Sequence, residues 1–112
     1  MDDEAIIAAI QEAVAVGNFE WDTEHCYRHM GDEGFALRDA IRVVAIGAVI
    51  GPAPERNRWR FCATISSLTQ DPRFYGRWLH VLAGYDDDDT VVSLVTMYRP
   101  SLREWRTERD RR

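Results

Sequence analysis

The chain of 112 residues contains no lysine, only two cysteines and no long apolar run. Two cysteines, Cys26 and Cys62, are too few for a disulfide framework and lack metal-ligand spacing, so we expect free thiols in a reducing cytoplasm. A membrane span needs about 20 apolar residues in a row, and none is predicted. The chain begins with acidic residues where a secretion signal would be basic, so nothing indicates export.

All of the positive side-chain charge comes from arginine, and it is unevenly distributed. The formal net charge is −5, but residues 1–55 carry eleven acidic residues and three arginines, a net charge of −8. Residues 56–112 carry eleven arginines and eight acidic residues, a net charge of +3, and four of those acids are consecutive at Asp86–Asp89. This distribution predicts a basic face on an otherwise acidic protein. Arginine is also suited to two-point contacts with phosphate or carboxylate.

The length and an apolar content of 46% predict one domain, residues 1–112, with a modest core. Apolar residues at helical spacing predict helices over residues 3–16, about 23–30 and about 36–46. A short strand is expected at 18–22.

After Gly51-Pro52-Ala53-Pro54 the apolar period changes to two, which predicts strands over 58–65, 77–85 and 90–98. The last two strands are expected to form a hairpin with the four aspartates at its tip. A final helix is predicted from Pro100 and Ser101, with Leu102 and Trp105 facing inward. The predicted fold is therefore α+β: two or three N-terminal helices, an antiparallel sheet of about four strands, and a C-terminal helix.

Several short sequence motifs occur one after another along the chain. They are His25-Cys26-Tyr27-Arg28-His29-Met30, Gly34-Phe35, Trp78-Leu79-His80-Val81 and Val95-Thr96-Met97-Tyr98-Arg99-Pro100, followed by Trp105. This order resembles a bacterial domain-of-unknown-function family with the pattern His-Ala-x-x-Arg-Met, Arg-Gly-Ile, Leu-His-Val and Thr-x-Tyr-x-Pro…Trp. The resemblance covers residues 22–105 and leaves a helix over 1–17 as an addition. More distantly, Phe19-Glu20-Trp21-Asp22 is similar to the start of BrnT-type toxins.

That family is generally grouped by fold with the RelE/barnase-like ribonucleases, so the resemblance implies a RelE-like fold and an endoribonuclease of toxin–antitoxin type. Two positions depart from the pattern. His29 stands where the family has the arginine of His-Ala-x-x-Arg-Met, and Glu33 stands where it has the arginine of Arg-Gly-Ile. Both changes remove a cation, and the second adds a carboxylate.

Metal-independent RNA cleavage needs a base for the 2′-hydroxyl, a cation at the phosphate and an acid for the leaving oxygen. His25 and His80 match histidines of the family pattern and are the candidate acid–base pair, provided that both rings border one open groove. Thr96 and Tyr98 share a face of the last strand and are candidate supporting groups. The candidate RNA-binding cations are Arg28, Arg58, Arg60, Arg99, Arg103 and Arg106, with Trp59 or Tyr75 as stacking platforms.

Other interpretations of these residues stay open. A single histidine in mid-strand, such as His80, is equally typical of a core residue whose ring bonds the backbone. A non-catalytic module could bind an antitoxin-like protein, a second copy of the chain or nucleic acid. A metal site of His25, His29 and Glu33 is a weak alternative, because Gly31 is expected to end the helix before Glu33. No cofactor and no membrane partner are predicted.

Overall fold

The computed structural model describes residues 2–51, 57–86 and 91–111, and it has the predicted α+β class. The three helices of this described part are α1 (Asp3–Ala15), α2 (Thr23–Glu33) and α3 (Leu37–Ile46). Its five strands are β1 (Glu20–Trp21), β2 (Ala48–Val49), β3 (Arg58–Thr64), β4 (Trp78–Asp86) and β5 (Val91–Tyr98). The predicted aspartate tip of the hairpin lies mostly outside the described residues, at 87–89.

The strands form one mixed sheet in the order β1-β5-β4-β3-β2. The strands β2 to β5 are antiparallel to their neighbours, as predicted, whereas β1 pairs with β5 in parallel. The short strand expected at 18–22 is present as β1, but its pairing is parallel, and β2 adds a fifth strand to the four expected. The strand β2 has only two residues, too few to show a period in the sequence.

One face of the sheet carries the main core. The alternation predicted for β3 is present, with Trp59 and Phe61 buried on this face. The apolar stripe of α1, Ile6, Ile10 and Val14, is buried against the same cluster, together with residues of α3. At the end of α3, a Cβ on Gly47 would lie 2.1 Å from the carbonyl oxygen of Val43, so this close approach requires glycine.

The helix α2 runs along the edge of the sheet beside β5. The Asp22 side chain caps its start by accepting a hydrogen bond from the backbone N–H of His25 at 3.0 Å. Gly34 ends it in the left-handed region with φ 74°. The expectation that Gly31 ends this helix is wrong, because a glycine only weakens a helix interior while Gly34 supplies the terminating conformation. Glu33 therefore lies on the last turn of α2.

The residues after β5 do not form the predicted C-terminal helix. Ser101–Arg111, here called the C-terminal segment, consists of turns and bends with isolated bridges from Ser101 to Phe74 and from Trp105 to Arg111. Trp105 faces inward as predicted and is 2% exposed, whereas Leu102 is exposed. The segment lies over the second face of the sheet, where Trp105 packs with Ile50 and Cys62. Tertiary contacts thus override the local helical pattern.

Neither cysteine in the described part of the chain forms a disulfide, as predicted, and both are buried. No helix within the described ranges is long and apolar enough to cross a membrane.

The core of α1 gives a first prediction. Ile10 is fully buried, so Ile10→Ala removes packed methyl groups and leaves a cavity. We expect the free energy of unfolding to fall by about 3 kcal/mol, measured by urea denaturation. Val16 is 74% exposed, so Val16→Ala serves as the control and should change stability by less than about 0.5 kcal/mol. Equal effects of both substitutions would contradict this arrangement of α1.

Candidate functional site

The second face of the sheet collects most of the residues singled out in the sequence. In the register of the strands, His80 lies between Cys62 on β3 and Tyr98 on β5, and Leu82 lies opposite Thr96. Side chains two residues apart on a strand share a face, so Arg60 joins this group. The C-terminal segment covers part of this face and determines which of these groups remains accessible.

His80 is fully buried beneath the C-terminal segment. Its Nε2 donates a hydrogen bond to the backbone carbonyl of Glu108 at 2.5 Å, which leaves Nδ1 to accept from the Tyr98 hydroxyl at 3.4 Å. The Trp105 ring packs edge-on against the imidazole, with ring centroids 4.5 Å apart. Both ring nitrogens therefore have partners within the protein.

Burial lowers the pKa of His80 to about 4, against the raising effect of its bond to Glu108, and the charges of Arg60 and Arg111 lower it further. The ring is therefore neutral near pH 7. Burial also raises the pKa of Tyr98. His80 is therefore enclosed and neutral, which does not suit acid–base chemistry on a bound RNA, whereas Tyr98 is only partly buried.

His25 lies apart from His80, exposed on α2, and its Nε2 is 3.2 Å from the Thr96 hydroxyl oxygen. The expected pairing of His25 with His80 across one open groove is not formed, because the second ring is enclosed by Tyr98 and Trp105. The alternative interpretation of His80 as a buried residue bonded to backbone is the one that the structure supports.

A different imidazole faces a cavity of about 340 Å³ between α2 and the C-terminal segment. We call this cavity the α2 groove; its lining includes His29, Glu33, Tyr98, Ser101 and Arg111. The Nδ1 of His29 is 2.6 Å from Oε2 of Glu33, one helical turn further on. The other carboxylate oxygen of Glu33 accepts a hydrogen bond from the backbone N–H of Arg99. Glu33 is thus held by β5 and orients the His29 ring.

The weak metal alternative, His25 with His29 and Glu33, is not assembled. His29 and Glu33 bond each other, while His25 bonds Thr96. Across the described residues, no group of three or more histidine, cysteine or acidic side chains is arranged to hold a metal ion.

Arg99, predicted to bind RNA, is 3% exposed and has a structural role. Its guanidinium donates to the backbone carbonyls of Thr69 and Gly76 and packs over the Phe74 ring at 4.8 Å. Burial lowers the pKa of this guanidinium. Arg99 thus ties the loop before β4 to the end of β5, and it also belongs to the lining of the α2 groove.

The other candidate arginines occupy separate places. Arg28 and Arg103 are exposed and line neither of the cavities described here, whereas Arg58 lines a hollow above Gly84 at the far end of the second face. Of the two candidate stacking platforms, Trp59 is buried in the main core and cannot stack on a base. Tyr75 is partly exposed, and its hydroxyl donates to the carbonyl of Trp105 at 2.5 Å.

Arg60 and Arg106 meet in a second cavity, of about 230 Å³, which we call the arginine cleft. Its lining residues are Ile50, Gly51, Arg60, Trp105, Arg106, Arg109, Asp110 and Arg111. The guanidinium carbons of Arg60 and Arg111 lie 5.3 and 5.1 Å from the Trp105 ring centroid. Trp105 and Arg111 line both cavities, so the arginine cleft and the α2 groove adjoin.

Sequence reasoning missed Arg109 and Arg111 as residues that line the arginine cleft. The signal was present in the arginine-rich end of the chain, from Arg106 onward. The predicted C-terminal helix would have placed these arginines on different sides of an exposed helix. The turns of the C-terminal segment bring them to one side, over Arg60.

The burial of His80 predicts a pH-dependent stability. Because its folded pKa of about 4 lies below its ordinary value of 6.5, the unfolded chain takes up a proton first as the pH falls. The stability present above pH 6.5 is therefore lost between 6.5 and 4, by about 2 kcal/mol at pH 5.

This loss is measured by urea denaturation at pH 7 and pH 5. The variant His80→Gln keeps a donor for the Glu108 carbonyl but does not titrate. The free energy of unfolding that it loses between pH 7 and pH 5 should therefore be about 2 kcal/mol smaller than the loss in the wild type. An unchanged pH dependence in this variant would contradict the assignment.

No family model, no curated protein and no solved structure matches this chain.

Proposed function

We propose that this protein binds RNA on the second face of its sheet, through the arginine cleft and the adjoining α2 groove. The observation that carries the proposal is the convergence of four arginines, Arg60, Arg106, Arg109 and Arg111, on one cleft. Asp110 is the only acidic residue among the described residues that line it. A concentration of guanidinium groups of this kind is the electrostatic signature of a nucleic-acid interface.

The separation of charge over the fold supports this proposal. The acidic residues of the N-terminal half lie largely on the helices, with Asp3, Glu4 and Glu12 on α1 and Glu24, Asp32 and Glu33 on α2. The arginines of the cleft come from β3 and the C-terminal segment. A local cationic field can therefore attract a phosphate backbone although the net charge of the protein is −5.

Aromatic side chains border the same face. Trp78 and Tyr75 are partly exposed, and the Arg109 guanidinium carbon lies 6.0 Å from the Trp78 ring centroid. Arginine and aromatic groups side by side suit single-stranded RNA, because a base can stack where the neighbouring cation holds its phosphate. An acidic protein partner would contact the arginines in the same way, but it would have no base to stack on the aromatic rings. The resemblance to RelE/barnase-like domains also favours RNA as the ligand. An antitoxin-like partner or a homodimer is a proposal based on that resemblance alone.

A second candidate function is metal-independent RNA cleavage in the α2 groove, and the His29–Glu33 pair favours it. A carboxylate that fixes one ring nitrogen leaves the other to act as a base. In this proposal His29 Nε2 takes the 2′-hydroxyl proton, the new bond from O2′ to phosphorus displaces the 5′ oxygen, and a 2′,3′-cyclic phosphate forms. Arg111 neutralises the phosphoryl oxygens. His25, whose ring centroid is 5.5 Å from that of His29, acts as the acid that gives a proton to the leaving oxygen.

RNA binding is tested by fluorescence anisotropy with a single-stranded oligoribonucleotide over a range of salt concentrations. If four arginines contact phosphates, the logarithm of the association constant should fall with the logarithm of salt concentration with a slope of about −3. Arg106→Ser should make the slope shallower by about 0.7. The control, Arg38→Ser, removes an exposed arginine on α3 and should leave the slope unchanged. Salt-independent binding, or no binding at low salt, would refute the proposal.

Cleavage is tested by incubating the protein with a labelled oligoribonucleotide in the presence of a chelator. We expect His29→Gln and Glu33→Gln each to slow the appearance of cyclic-phosphate ends, the first by about 100-fold or more. Glu24→Gln, an exposed change on the same helix, should cleave at the wild-type rate. Intact RNA with the wild-type protein would leave the binding function alone, and equal rates in all variants would exclude His29 as the base.

A further inference from the structure

We infer that the arginine cleft is a phosphomonoester site that holds the terminal phosphate of an RNA strand. This inference rests on the proposed RNA-binding function and makes it more specific, because it assigns one chemical group to one cavity. The cleft is bounded on one side by Ile50 and Gly51 and on the other by the turn Arg106–Arg111 of the C-terminal segment.

The first argument concerns Arg60, whose guanidinium reaches the cleft from the sheet. Its Nε is buried and has no hydrogen-bond partner among the described residues. A buried donor without a partner costs free energy, and a small shift of the Arg60 side chain that brings Nε to an anion in the cleft would remove this cost. The Arg60 guanidinium also packs against the Trp105 ring, so it is held in place before a ligand arrives.

The second argument concerns preorganisation of the opposite wall. Trp105 is 2% exposed, its carbonyl accepts from the Tyr75 hydroxyl, and its ring also carries the Arg111 guanidinium. The backbone N–H of Arg106 donates to the Asp110 carbonyl at 2.7 Å, which closes the turn that presents the remaining arginines. The Arg60 and Arg111 guanidinium groups, which both pack on the Trp105 ring, therefore lose less conformational entropy on binding an anion than free side chains would.

The third argument is the amount of charge. Among the described residues that line the cleft, four arginines and one aspartate give a formal charge of +3. An internal phosphodiester carries one negative charge, whereas a phosphomonoester carries about −1.5 to −2 at pH 7 and offers three acceptor oxygens. Arginine forks bind such a group in two-point geometry. A chain-end phosphate therefore matches this cleft better than an internal one.

The neighbouring cavity gives the rest of the strand a direction. The α2 groove begins where Trp105 and Arg111 end the arginine cleft. A nucleotide whose terminal phosphate lies in the cleft can continue past Tyr98 toward His29. Both cavities would then be used by one strand.

The test compares four versions of one short oligoribonucleotide: with a 5′-phosphate, with a 3′-phosphate, with both, and with hydroxyl groups at both ends. Affinity is measured by anisotropy at low ionic strength. We expect at least one terminal phosphate to tighten binding about tenfold over the hydroxyl form, and the two single-phosphate arms show which end is recognised. Arg109→Ser should abolish this preference. The control Arg103→Ser, an equal charge change on the same segment outside the cleft, should retain it.

The outcomes separate the two proposals. Equal affinity for all four oligonucleotides would overturn the phosphomonoester site and leave RNA binding standing. If no oligonucleotide binds, RNA binding fails and with it the assignment to an RNA end, and titration with inorganic phosphate then decides only whether the arginine cleft is a phosphate site. A change in the NMR signal of the Trp105 indole that is present in the wild type and Arg103→Ser but absent in Arg109→Ser would support the site. No change in the wild type would overturn it.

Discussion

The anchoring of the C-terminal segment to the second face of the sheet is the contact on which both cavities depend. The imidazole of His80 donates to the Glu108 carbonyl, and the Trp105 ring packs against that imidazole and beside Cys62. A neutral, buried histidine in mid-strand is well suited to this task, because one ring nitrogen donates while the other accepts. Without this anchor Arg106, Arg109 and Arg111 would not meet Arg60, and the cationic cleft would not exist.

The helix α2 plays the corresponding role at the other edge of the sheet. Its apolar residues Cys26 and Met30 pack into the main core, which turns His25 and His29 toward β5 and the α2 groove. The carboxylate of Glu33 links the last turn of the helix to the backbone of Arg99. The side chains of His29 and Glu33 bond each other, so the last turn of α2 forms one local unit with the chain at Arg99.

Charge is arranged so that a protein with net negative charge keeps a cationic surface. Many of the acidic side chains lie on the helices α1 and α2, whereas the arginines of the cleft lie on β3 and the C-terminal segment. Salt screens interactions beyond about 10 Å, so the local charge of the cleft matters more to a bound phosphate than the total charge of the chain. The same arrangement limits nonspecific attraction of polyanions to the rest of the surface.

Much of the fold could be predicted from the sequence, because helical and alternating periods record which side of an element faces the core. The stripe of Ile6, Ile10 and Val14 and the alternation of β3 determined α1, the central strands and the α+β class. The two-residue strand β2 leaves no periodic signal, the parallel pairing of β1 is not encoded in its own sequence, and Gly31 gave a false helix end. For the site, the sequence singled out His25, His80 and the arginine-rich C-terminal half, but only the structure shows that His80 and Arg99 are buried and bonded to backbone carbonyls.

What the sequence determined by itself is therefore the set of elements, the buried faces and the supply of guanidinium groups. Only the tertiary structure decided that residues 101–111 form turns over the sheet, that His80 is enclosed beneath them and that His29 faces a groove. The reason is physical: a period reports burial along one element, whereas the burial of a polar ring depends on a segment nearly thirty residues away that covers it. Arginines spread along a chain become a binding site only when distant contacts bring them to one side.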